Sequence, residues 1–250
     1  MAERLHVVLA RAGIASRRHA ENLISQGRVT VNGEVVVKPG IRVTQGKDTI
    51  RVDGHPVHRY DPPTTVVLNK PRGVVTTARD PRNRPTAVQL VEVLGLRLFP
   101  VGRLDYATEG LLLLTNDGQL AHRLQHPRFG VEKTYEAKVK GDPPAAKLSR
   151  LRTGVLLEGR RTAPARVRRL KRTAKNTWLE ITIKEGRNRQ VRRMCAAVGH
   201  PVLKLKRTGY GPLRLGGLKP GAFRELSRRE LGLLRKACGA PVDGGQEKTP

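Results

Sequence analysis

The residue whose type and setting could do chemistry is Asp105, in the segment GRLDYATEGLLLLTNDG at residues 102–118. A polar Arg-Leu-Asp turn precedes four consecutive leucines there, so we expect an acid beside an element of the core. A carboxylate in such a place can act as a nucleophile or as a proton acceptor. Taken alone, however, an aspartate before an apolar run is more often a cap or a solvated loop residue.

Other side chains that could hold a metal or a cofactor form no suitable group in the sequence. His122 and His126 could share a helix face, and His55 and His58 are close, but no carboxylate or thiolate set accompanies either pair. The two cysteines are far apart and predict reduced thiols rather than a disulfide or a zinc site. The sequence has no Walker-type loop or dinucleotide fingerprint. We therefore predict no metal and no cofactor.

The charge of the chain points to a polyanionic partner. Lysine and arginine number 49 against 21 acidic residues, which gives a formal net charge of +28 over 250 residues. Residues 160–214 alone contain 17 basic residues and two acidic ones. An anionic membrane could attract this charge, but the sequence has no long apolar run, signal-type start or lipidation motif. We expect a nucleic-acid partner, no membrane association and a cytoplasmic location.

The periodicity of the first 60 residues predicts two short helices followed by a hairpin. Apolar residues from Leu5 to Ala12 fall at helical spacing, and Ser16 is placed to cap a second helix. Valines that alternate on both sides of the pair Asn32-Gly33 predict a β-hairpin. Residues 41–52 offer further short strands.

A second domain is expected to follow a linker at residues 58–65, HRYDPPTT. Strand-like segments such as TTVVLNKP, KTYEAKVKG and NTWLEITIK are interrupted there by glycine, proline and charged loops, which is typical of a mixed α+β domain. The predicted organisation is a first domain at 1–60, a second at 61–238, and a disordered tail at 239–250 that has no apolar face to bury.

The segment at residues 102–118 resembles, nearly letter for letter, the catalytic motif of the pseudouridine synthases that act on ribosomal RNA. Three further segments lie where that family has them: LNKPRG at 68–73, EKTYEAKV at 132–139 and KEGRNRQVRRM at 184–194. The stretch RAGIASRRHAENLISQGRVTVNG resembles the S4-like RNA-binding domain, which indicates the branch that carries this module at its N-terminus. The resemblance covers residues 1–235 and implies an α+β fold, with a mixed, mainly antiparallel sheet in the catalytic domain and a small α/β S4-like domain before it.

The resemblance also implies roles for single residues. Asp105 becomes the catalytic carboxylate, and Tyr135 the aromatic residue that stacks on the target base. Arg192, in preference to Arg193, becomes the basic residue that forms an ion pair with the aspartate and keeps it ionised. Arg103 corresponds to a residue implicated in prying the target nucleotide out of its helix.

Three more positions of the second domain are implied as parts of the pocket. Ile183 stands where the family places an aliphatic side chain against the base, and Asn69 and Lys70 shape or brace the pocket. A core position explains Ile183 equally well, so core packing and pocket wall both remain possible for it.

In the family of S4-like domains that this segment resembles, the second helix and the turn before it face RNA. The resemblance assigns backbone contacts there to Arg11, Ser16, Arg17, Arg18 and Arg28, and guanidinium groups suit phosphate by geometry and permanent charge. The alternative is that Arg17 and Arg18 only solvate an exposed helix start. For a single arginine that alternative is favoured, whereas for the cluster we favour RNA contact.

The implied reaction breaks the bond from the anomeric carbon to the base nitrogen, turns the uracil over and forms a carbon–carbon bond. The carboxylate either attacks the sugar or abstracts a proton from its 2′ carbon, and the sequence leaves both routes open. Because a duplex buries its bases, the uridine has to be flipped out. Some members of this branch modify small-subunit RNA and others large-subunit RNA. The stretch VGHPVLKLKRTGYGPLRLGGLKPGAFRELS resembles the large-subunit enzymes. We expect a monomer that acts on large-subunit ribosomal RNA or a pre-ribosomal particle.

Two rival functions come from other classes. A non-catalytic ribosome-assembly factor could use the same charge and RNA-binding module, but the intact set of Asp105, Tyr135 and Arg192 argues against it. A DNA-binding regulator could contain two short helices joined by a turn, but the hairpin that follows and the catalytic segments make it remote.

Overall fold

A computed structural model describes the chain at residues 2–44, 46–57, 61–78 and 80–240. The chain divides into two compact units, Met1–Thr64 with Gly95–Arg97 and Thr65–Leu94 with Leu98–Pro250. Residues 58–60 of the predicted linker and 241–250 of the predicted tail lie outside the described residues. The domain boundaries named above stay predictions.

The first unit packs two helices with short antiparallel strands. Its elements are β1 (Ala2–Arg4), α1 (Leu5–Arg11), α2 (Arg17–Ser25), β2 (Val29–Val31), β3 (Glu34–Val35), β4 (Arg42–Thr44), β5 (Ile50–Val52) and β6 (His55–Pro56). β1 pairs with β4, and the other four strands form a sheet of order β3-β2-β5-β6. The two predicted helices, the hairpin and the later strands are confirmed.

The start and the buried face of α2 follow directly from the sequence. The Ser16 side chain accepts a hydrogen bond from the backbone N–H of His19 at 3.2 Å, as expected of an N-cap. Ala20, Leu23 and Ile24 are the buried residues of the helix and join the core of this unit. The polar face of α2, which includes Arg17 and Arg18, is therefore left exposed.

The second unit contains a large sheet with helices packed on it. Its elements are β7 (Thr65–Lys70), β8 (Phe99–Pro100), β9 (Glu109–Thr115), α3 (Gly118–Gln125), β10 (Lys133–Lys140), α4 (Ala145–Thr153), β11 (Leu156–Leu157), β12 (Arg160–Arg161), β13 (Arg166–Arg172), β14 (Asn176–Ile183), α5 (Gln190–Ala197), β15 (Val202–Tyr210), β16 (Leu213–Arg214), β17 (Phe223–Glu225) and α6 (Arg228–Ala237). Short 3₁₀ helices occupy Gln89–Leu94 and Pro127–Phe129.

The sheet runs in the order β13-β14-β10-β15-β9-β7-β17, with β16 paired to β15 and β8 to β9. Its strand pairs are antiparallel except for β15 with β9, which are parallel. β11 and β12 form a separate hairpin. The predicted α+β class with a mixed, mainly antiparallel sheet is confirmed, as are the strands expected in TTVVLNKP, KTYEAKVKG and NTWLEITIK.

The four consecutive leucines form the middle of β9, and each of them is fully buried. Four consecutive apolar residues in a strand point to both faces of the sheet, so both faces must be covered there, and β9 also has a hydrogen-bonded neighbour along each edge. Asp105 lies four residues before this strand, so the expectation of an acid beside a core element is confirmed. Within the described ranges, no helix has the length and apolarity that crossing a membrane requires.

Candidate active site

Asp105 lies at a pocket in the second unit. The pocket has a volume of about 190 Å³, and its lining includes Asp105, Arg103, Tyr135, Ile183, Arg189 and Arg207. Pockets for drug-sized ligands and cofactors usually measure roughly 300–1,000 Å³. A cavity of this smaller size fits one part of a larger substrate better than it fits a whole cofactor.

Backbone hydrogen bonds fix the loop that carries Asp105. The Thr108 N–H donates to the Asp105 carbonyl at 2.9 Å, and the Gly73 N–H donates to the Tyr106 carbonyl at 3.0 Å. The Thr76 hydroxyl donates to the Leu104 carbonyl at 2.8 Å and accepts from the Leu104 N–H at 3.2 Å. The carboxylate therefore has a rigid support, while its side chain keeps 31% of its surface exposed.

A glycine is required where this loop enters the sheet. Gly110 has φ +108°, and a Cβ atom there would lie 2.2 Å from the carbonyl oxygen of Arg207. Gly110 is also the register partner of Arg207 in the parallel pair of β9 and β15. Only a residue without a side chain permits this approach, which places the Asp105 loop next to β15.

The ion pair at Asp105 is formed by Arg189, not by the expected Arg192. The Arg189 Nη1 atom lies 3.6 Å from the Asp105 Oδ2 atom. Arg189 precedes α5 with φ +47°, a left-handed conformation that directs its side chain away from the helix surface and toward the carboxylate. The prediction that Arg192 makes this ion pair is wrong.

Arg192 instead holds the end of the Asp105 loop. Its Nη2 atom donates to the Ala107 carbonyl at 3.1 Å and to the Thr108 hydroxyl at 3.3 Å, and its Nη1 atom donates to the Val202 carbonyl at 3.3 Å. Burial lowers the pKa of Arg192, repulsion from Arg189 adds to this, and the charge of Asp105 opposes it. Arg192 thus acts on Asp105 at longer range than an ion pair.

Tyr135 and Ile183 reach the pocket from neighbouring strands. Tyr135 on β10 is half-buried, and Ile183 at the end of β14 is 3% exposed. β10 lies between β14 and β15, so Tyr135 is the register partner of Ile181 on one side and of Arg207 on the other. The pocket therefore combines an aromatic ring and an aliphatic wall with the carboxylate.

Asn69 and Lys70 are buried on β7 and are not part of the pocket lining. Lys70 donates from Nζ to the carbonyls of Pro71 at 2.8 Å and Val74 at 2.7 Å. Burial lowers the pKa of Lys70 to about 8, although the charge of Asp105 raises it. The Asn69 amide donates to the Leu218 carbonyl at 2.7 Å. Both side chains brace the surroundings of the site.

Lys133 and Arg207 line the pocket but were missed at the sequence level. Burial and, to a smaller extent, repulsion from Arg207 together lower the pKa of Lys133 to about 8. Lys133 could have been found because it belongs to the EKTYEAKV segment, two residues before Tyr135. Arg207 has no comparable signal, since it is one of many basic residues in its stretch.

In the first unit, the five expected RNA contacts divide into two groups. Arg11 forms an ion pair with Glu3, Arg28 makes two hydrogen bonds to Asp53 at 2.8 and 2.6 Å, and Ser16 caps α2. The remaining two, Arg17 and Arg18, are exposed, and neither forms an ion pair with an acid within the described part of the unit.

No cluster of three or more histidine, cysteine, aspartate or glutamate side chains in the described ranges is arranged to hold a metal ion. The rings of His122 and His126 do approach each other, with centroids 5.4 Å apart. Both cysteines, Cys195 and Cys238, are buried and free. The chemistry that this pocket offers is that of a carboxylate, an aromatic ring and several cations.

Comparison with known proteins places the chain among RNA-modifying enzymes. Residues 64–197 match the RNA pseudouridylate synthase family, and residues 3–50 match the S4 domain. The ribosomal large subunit pseudouridine synthase B of Bacillus subtilis is 49% identical over 235 residues, which cover 93% of this chain and 96% of that protein. The protein of the same name from Pseudomonas aeruginosa is 40% identical over 247 residues, or 95% of this chain and 63% of that one.

Solved structures agree with the sequence matches. A crystal structure described as a pseudouridylate synthase is 32% identical with a TM-score of 0.65, and the match covers 92% of this chain and 99% of that one. The chain belongs to the RNA pseudouridylate synthase family. It is a pseudouridine synthase of the branch with an S4 domain at the N-terminus, as the sequence motifs predicted.

Proposed function

We propose that this enzyme isomerises a uridine of large-subunit ribosomal RNA to pseudouridine, with Asp105 as the catalytic carboxylate and without a cofactor. The observation that carries the proposal is the half-buried Asp105 carboxylate in one pocket with Tyr135 and Ile183, and with Arg189 at 3.6 Å. The name of the Bacillus subtilis relative, which covers nearly the whole chain, supports the large-subunit RNA as substrate.

The pocket supplies what each stage of the isomerisation needs. Asp105 either attacks the anomeric carbon or removes a proton from the 2′ carbon, and in both routes the base leaves with the electron pair of its glycosidic bond. Stacking on Tyr135 and contact with Ile183 hold the free uracil while it turns. Carbon 5 of the base then bonds to the anomeric carbon; in the first route the bond from Asp105 to that carbon breaks, and in the second the 2′ carbon regains its proton. Carbon 5 finally loses its proton, and nitrogen 1 gains one. The reaction is redox-neutral and adds no atoms.

The ion pair with Arg189 has a defined purpose in this scheme. A carboxylate that is 31% exposed in the free enzyme loses its solvent when a nucleotide fills the pocket, and desolvation favours the protonated, unreactive form. A guanidinium at 3.6 Å opposes this change. We assign this role to Arg189, with Arg192 holding the loop at Ala107 and Thr108.

Arg103 is the residue that we assign to the space that the flipped-out uridine leaves in the RNA helix. It is exposed at the rim of the pocket, two residues before Asp105. Flipping a base out of a helix costs a few kcal/mol, and a side chain that fills the vacated space offsets part of this cost. The proposal favours a looped or bulged target, where the cost is smaller.

We assign the RNA grip of the S4 domain chiefly to Arg17 and Arg18. Both are exposed, whereas the charges of Arg11 and Arg28 are compensated by carboxylates of the same unit. Contacts from free guanidinium groups to phosphate release counterions and make binding salt-dependent. The proposed partner is ribosomal RNA or a pre-ribosomal particle in the cytoplasm, bound by a monomer of the enzyme.

The test of the catalytic assignment is Asp105→Asn, which keeps the shape of the side chain and removes its charge. We expect no detectable pseudouridine in unmodified large-subunit RNA, with a dissociation constant within about twofold of wild type. Carbodiimide mapping of the RNA detects the product and locates the target.

Asp142→Asn is the matched control, because Asp142 is also ion-paired with arginine and its side chain is 30% exposed, but it is not part of the pocket lining. Full activity of Asp105→Asn would refute the assignment. If the wild-type enzyme forms no pseudouridine at any position of the large-subunit RNA, the proposed substrate is wrong.

The test of the S4 domain compares a double variant with a single one. Replacing Arg17 and Arg18 together by glutamine should make the negative slope of log affinity against log salt less steep by about 1.4–1.8, since each phosphate contact contributes roughly 0.7–0.9. Arg28→Gln, which removes a charge already paired with Asp53, should leave the slope nearly unchanged. Equal slopes for wild type and the double variant would remove the proposed role of the pair.

A further inference from the structure

Arg207 has an unsatisfied donor that the fold does not explain. The residue is 3% exposed, and its Nε atom donates to the Leu111 carbonyl at 2.6 Å. Its Nη2 atom is buried and has no hydrogen-bond partner within the described residues. Leaving a charged donor buried and unpaired costs more than a hydrogen bond normally contributes, so such a group requires an explanation.

Arg207 lies where a bound base would come. It lines the same pocket as Asp105 and is the register partner of Tyr135 across β10 and β15. The Tyr210 ring lies below its guanidinium, with 5.1 Å between the Cζ atom and the ring centroid. The backbone of Arg207 is held against Gly110, so the position of the side chain is fixed from three sides.

The charge of the pocket lining is strongly unbalanced. Five of the lining residues are cationic, and Asp105 is the acid among them; the cations are Arg103, Lys133, Arg187, Arg189 and Arg207. Outside the lining, Glu185 pairs with Arg187 at 3.3 Å. Lys133 and Arg207 are close enough to repel each other, which contributes to the lowered pKa of Lys133. A negatively charged ligand in the pocket would reduce this repulsion.

The proposed reaction involves negative charge of two kinds, one that the RNA brings and one that develops on the base. The first is that of the RNA phosphates, which we expect to remain outside a cavity of only about 190 Å³. The second charge arises inside the cavity: when the glycosidic bond breaks, the electron pair stays on the uracil and is shared between nitrogen 1 and the two carbonyl oxygens. A buried guanidinium donor is suited to that second charge.

We infer that Arg207 donates a hydrogen bond from its guanidinium to a carbonyl oxygen of the target uracil and stabilises the charge of the detached base. The inference rests on the proposed function. In the step concerned, the bond between nitrogen 1 and the anomeric carbon breaks, the electron pair goes to the base, and Arg207 keeps its proton throughout. The base remains bound until carbon 5 has formed the new bond.

A purely structural guanidinium would behave differently on substitution. If Arg207 only packs on Tyr210 and binds the Leu111 carbonyl, its loss changes the stability of the sheet and affects all substrates alike. If it contacts the uracil, its loss slows the chemical step and does so through one particular atom of the base. The experiment therefore changes the protein and the substrate together.

The protein variants are Arg207→Lys and Arg207→Met, assayed in single turnover on the large-subunit RNA. We expect the rate of both to fall by about 10²–10³-fold, as for removal of a donor that stabilises a developing anion, with RNA affinity within about twofold. Arg235→Met is the matched control, since Arg235 is 9% exposed and ion-paired with Asp117 outside the pocket. Thermal melting of each variant separates lost stability from lost rate.

The substrate variants are short RNA hairpins that carry the target as uridine, 4-thiouridine or 2-thiouridine, because sulfur accepts hydrogen bonds more weakly than oxygen. One of the two thio substitutions should slow the wild-type enzyme and have no additional effect on Arg207→Met. Equal slowing of both enzymes, or an unchanged rate in Arg207→Met, would overturn the inference while the proposed function stands. A wild-type enzyme that forms no pseudouridine overturns both.

Discussion

Two arginine-rich regions of the second unit, β13 and the pocket, use their charge in opposite ways. Each of four arginines on β13 faces a carboxylate from a neighbouring segment; the pairs are Arg166 with Glu132, Arg168 with Glu180, and Arg169 and Arg172 with Asp142. The pocket lining contains five cations and a single carboxylate. Both regions draw on the same basic stretch of the sequence, so it is the fold that decides which charges remain available to RNA.

The difference is one of compensation rather than of charge count. The arginines that pair on β13 are exposed, and such pairs contribute roughly 0–1 kcal/mol to stability. Hydrogen bonding from Arg166 nevertheless lowers the pKa of Glu132, so the acid stays ionised and cancels the charge beside it. Cations without nearby acids keep their field, and this field is what attracts a polyanion.

The largest effect that would sharpen this contrast is expected from two substitutions of Tyr135 in the pocket. Tyr135→Ala should lower kcat/KM by about 10–100-fold, because stacking on a base contributes roughly 1–3 kcal/mol, and Tyr135→Phe should stay within a few-fold of wild type. Trp178→Phe is the control beside β13, where Trp178 is the register partner of Lys171. Steady-state assays of pseudouridine formation measure both. Near-normal activity of Tyr135→Ala would contradict the pocket as the site of the base.

An intermediate effect is expected from single charges in the two regions. Arg103→Gln removes a pocket cation and should lower the salt slope of RNA binding by about one, with a loss of affinity of about tenfold at low salt. Arg168→Gln removes a cation that Glu180 already compensates and should change the slope far less. Filter binding across a salt series gives both slopes. Similar slopes for the two variants would break the comparison.

The smallest effect is expected in the pH dependence. Lys133 has a pKa of about 8, below its ordinary 10.5, so it is charged at pH 7 and neutral at pH 9. Affinity of the wild type relative to Lys133→Arg should therefore fall by about two- to fivefold over that interval. Lys70, which also has a pKa of about 8, is present in both proteins and cancels in the ratio. The β13 arginines do not titrate there, since pairing raises the pKa of Arg166.

The ratio of the wild-type affinity to the Lys133→Arg affinity is obtained from dissociation constants measured at constant ionic strength from pH 7 to pH 9. A ratio that stays constant would mean that Lys133 does not face the RNA. The sign for stability is opposite: the folded state gives up the Lys133 proton before the unfolded chain does, so the free energy of unfolding should rise with pH between about 8 and 10.5.

Features governed by local pattern could be predicted from the sequence. The Ser16 cap, the helix that follows it, the hairpin at Asn32-Gly33 and the apolar run of β9 each depend on residues within a few positions of one another. The motif segments were also sufficient to bring Asp105, Tyr135 and Ile183 into one pocket.

Features governed by backbone detail or by distant pairing could not. The choice of Arg189 over Arg192 depends on a left-handed conformation at residue 189, and no sequence signal marks an arginine for that region. The position of Arg207 depends on the pairing of β15 with β9. Its burial runs against the usual exposure of arginine, so nothing in the sequence marks it as a residue of the pocket.

The parallel pairing of β9 and β15 determines when the pocket can form during translation. These strands are neighbours in the sheet, yet residues 116–201, with β10 to β14 between them, separate them along the chain. Closing so long a loop is slow compared with forming helices and hairpins. A nascent polypeptide that already contains Asp105 therefore lacks the part of the pocket that β15 forms until residue 210 has left the ribosome. We expect truncated translation products that end before β15 to form no pseudouridine, because their pocket is incomplete.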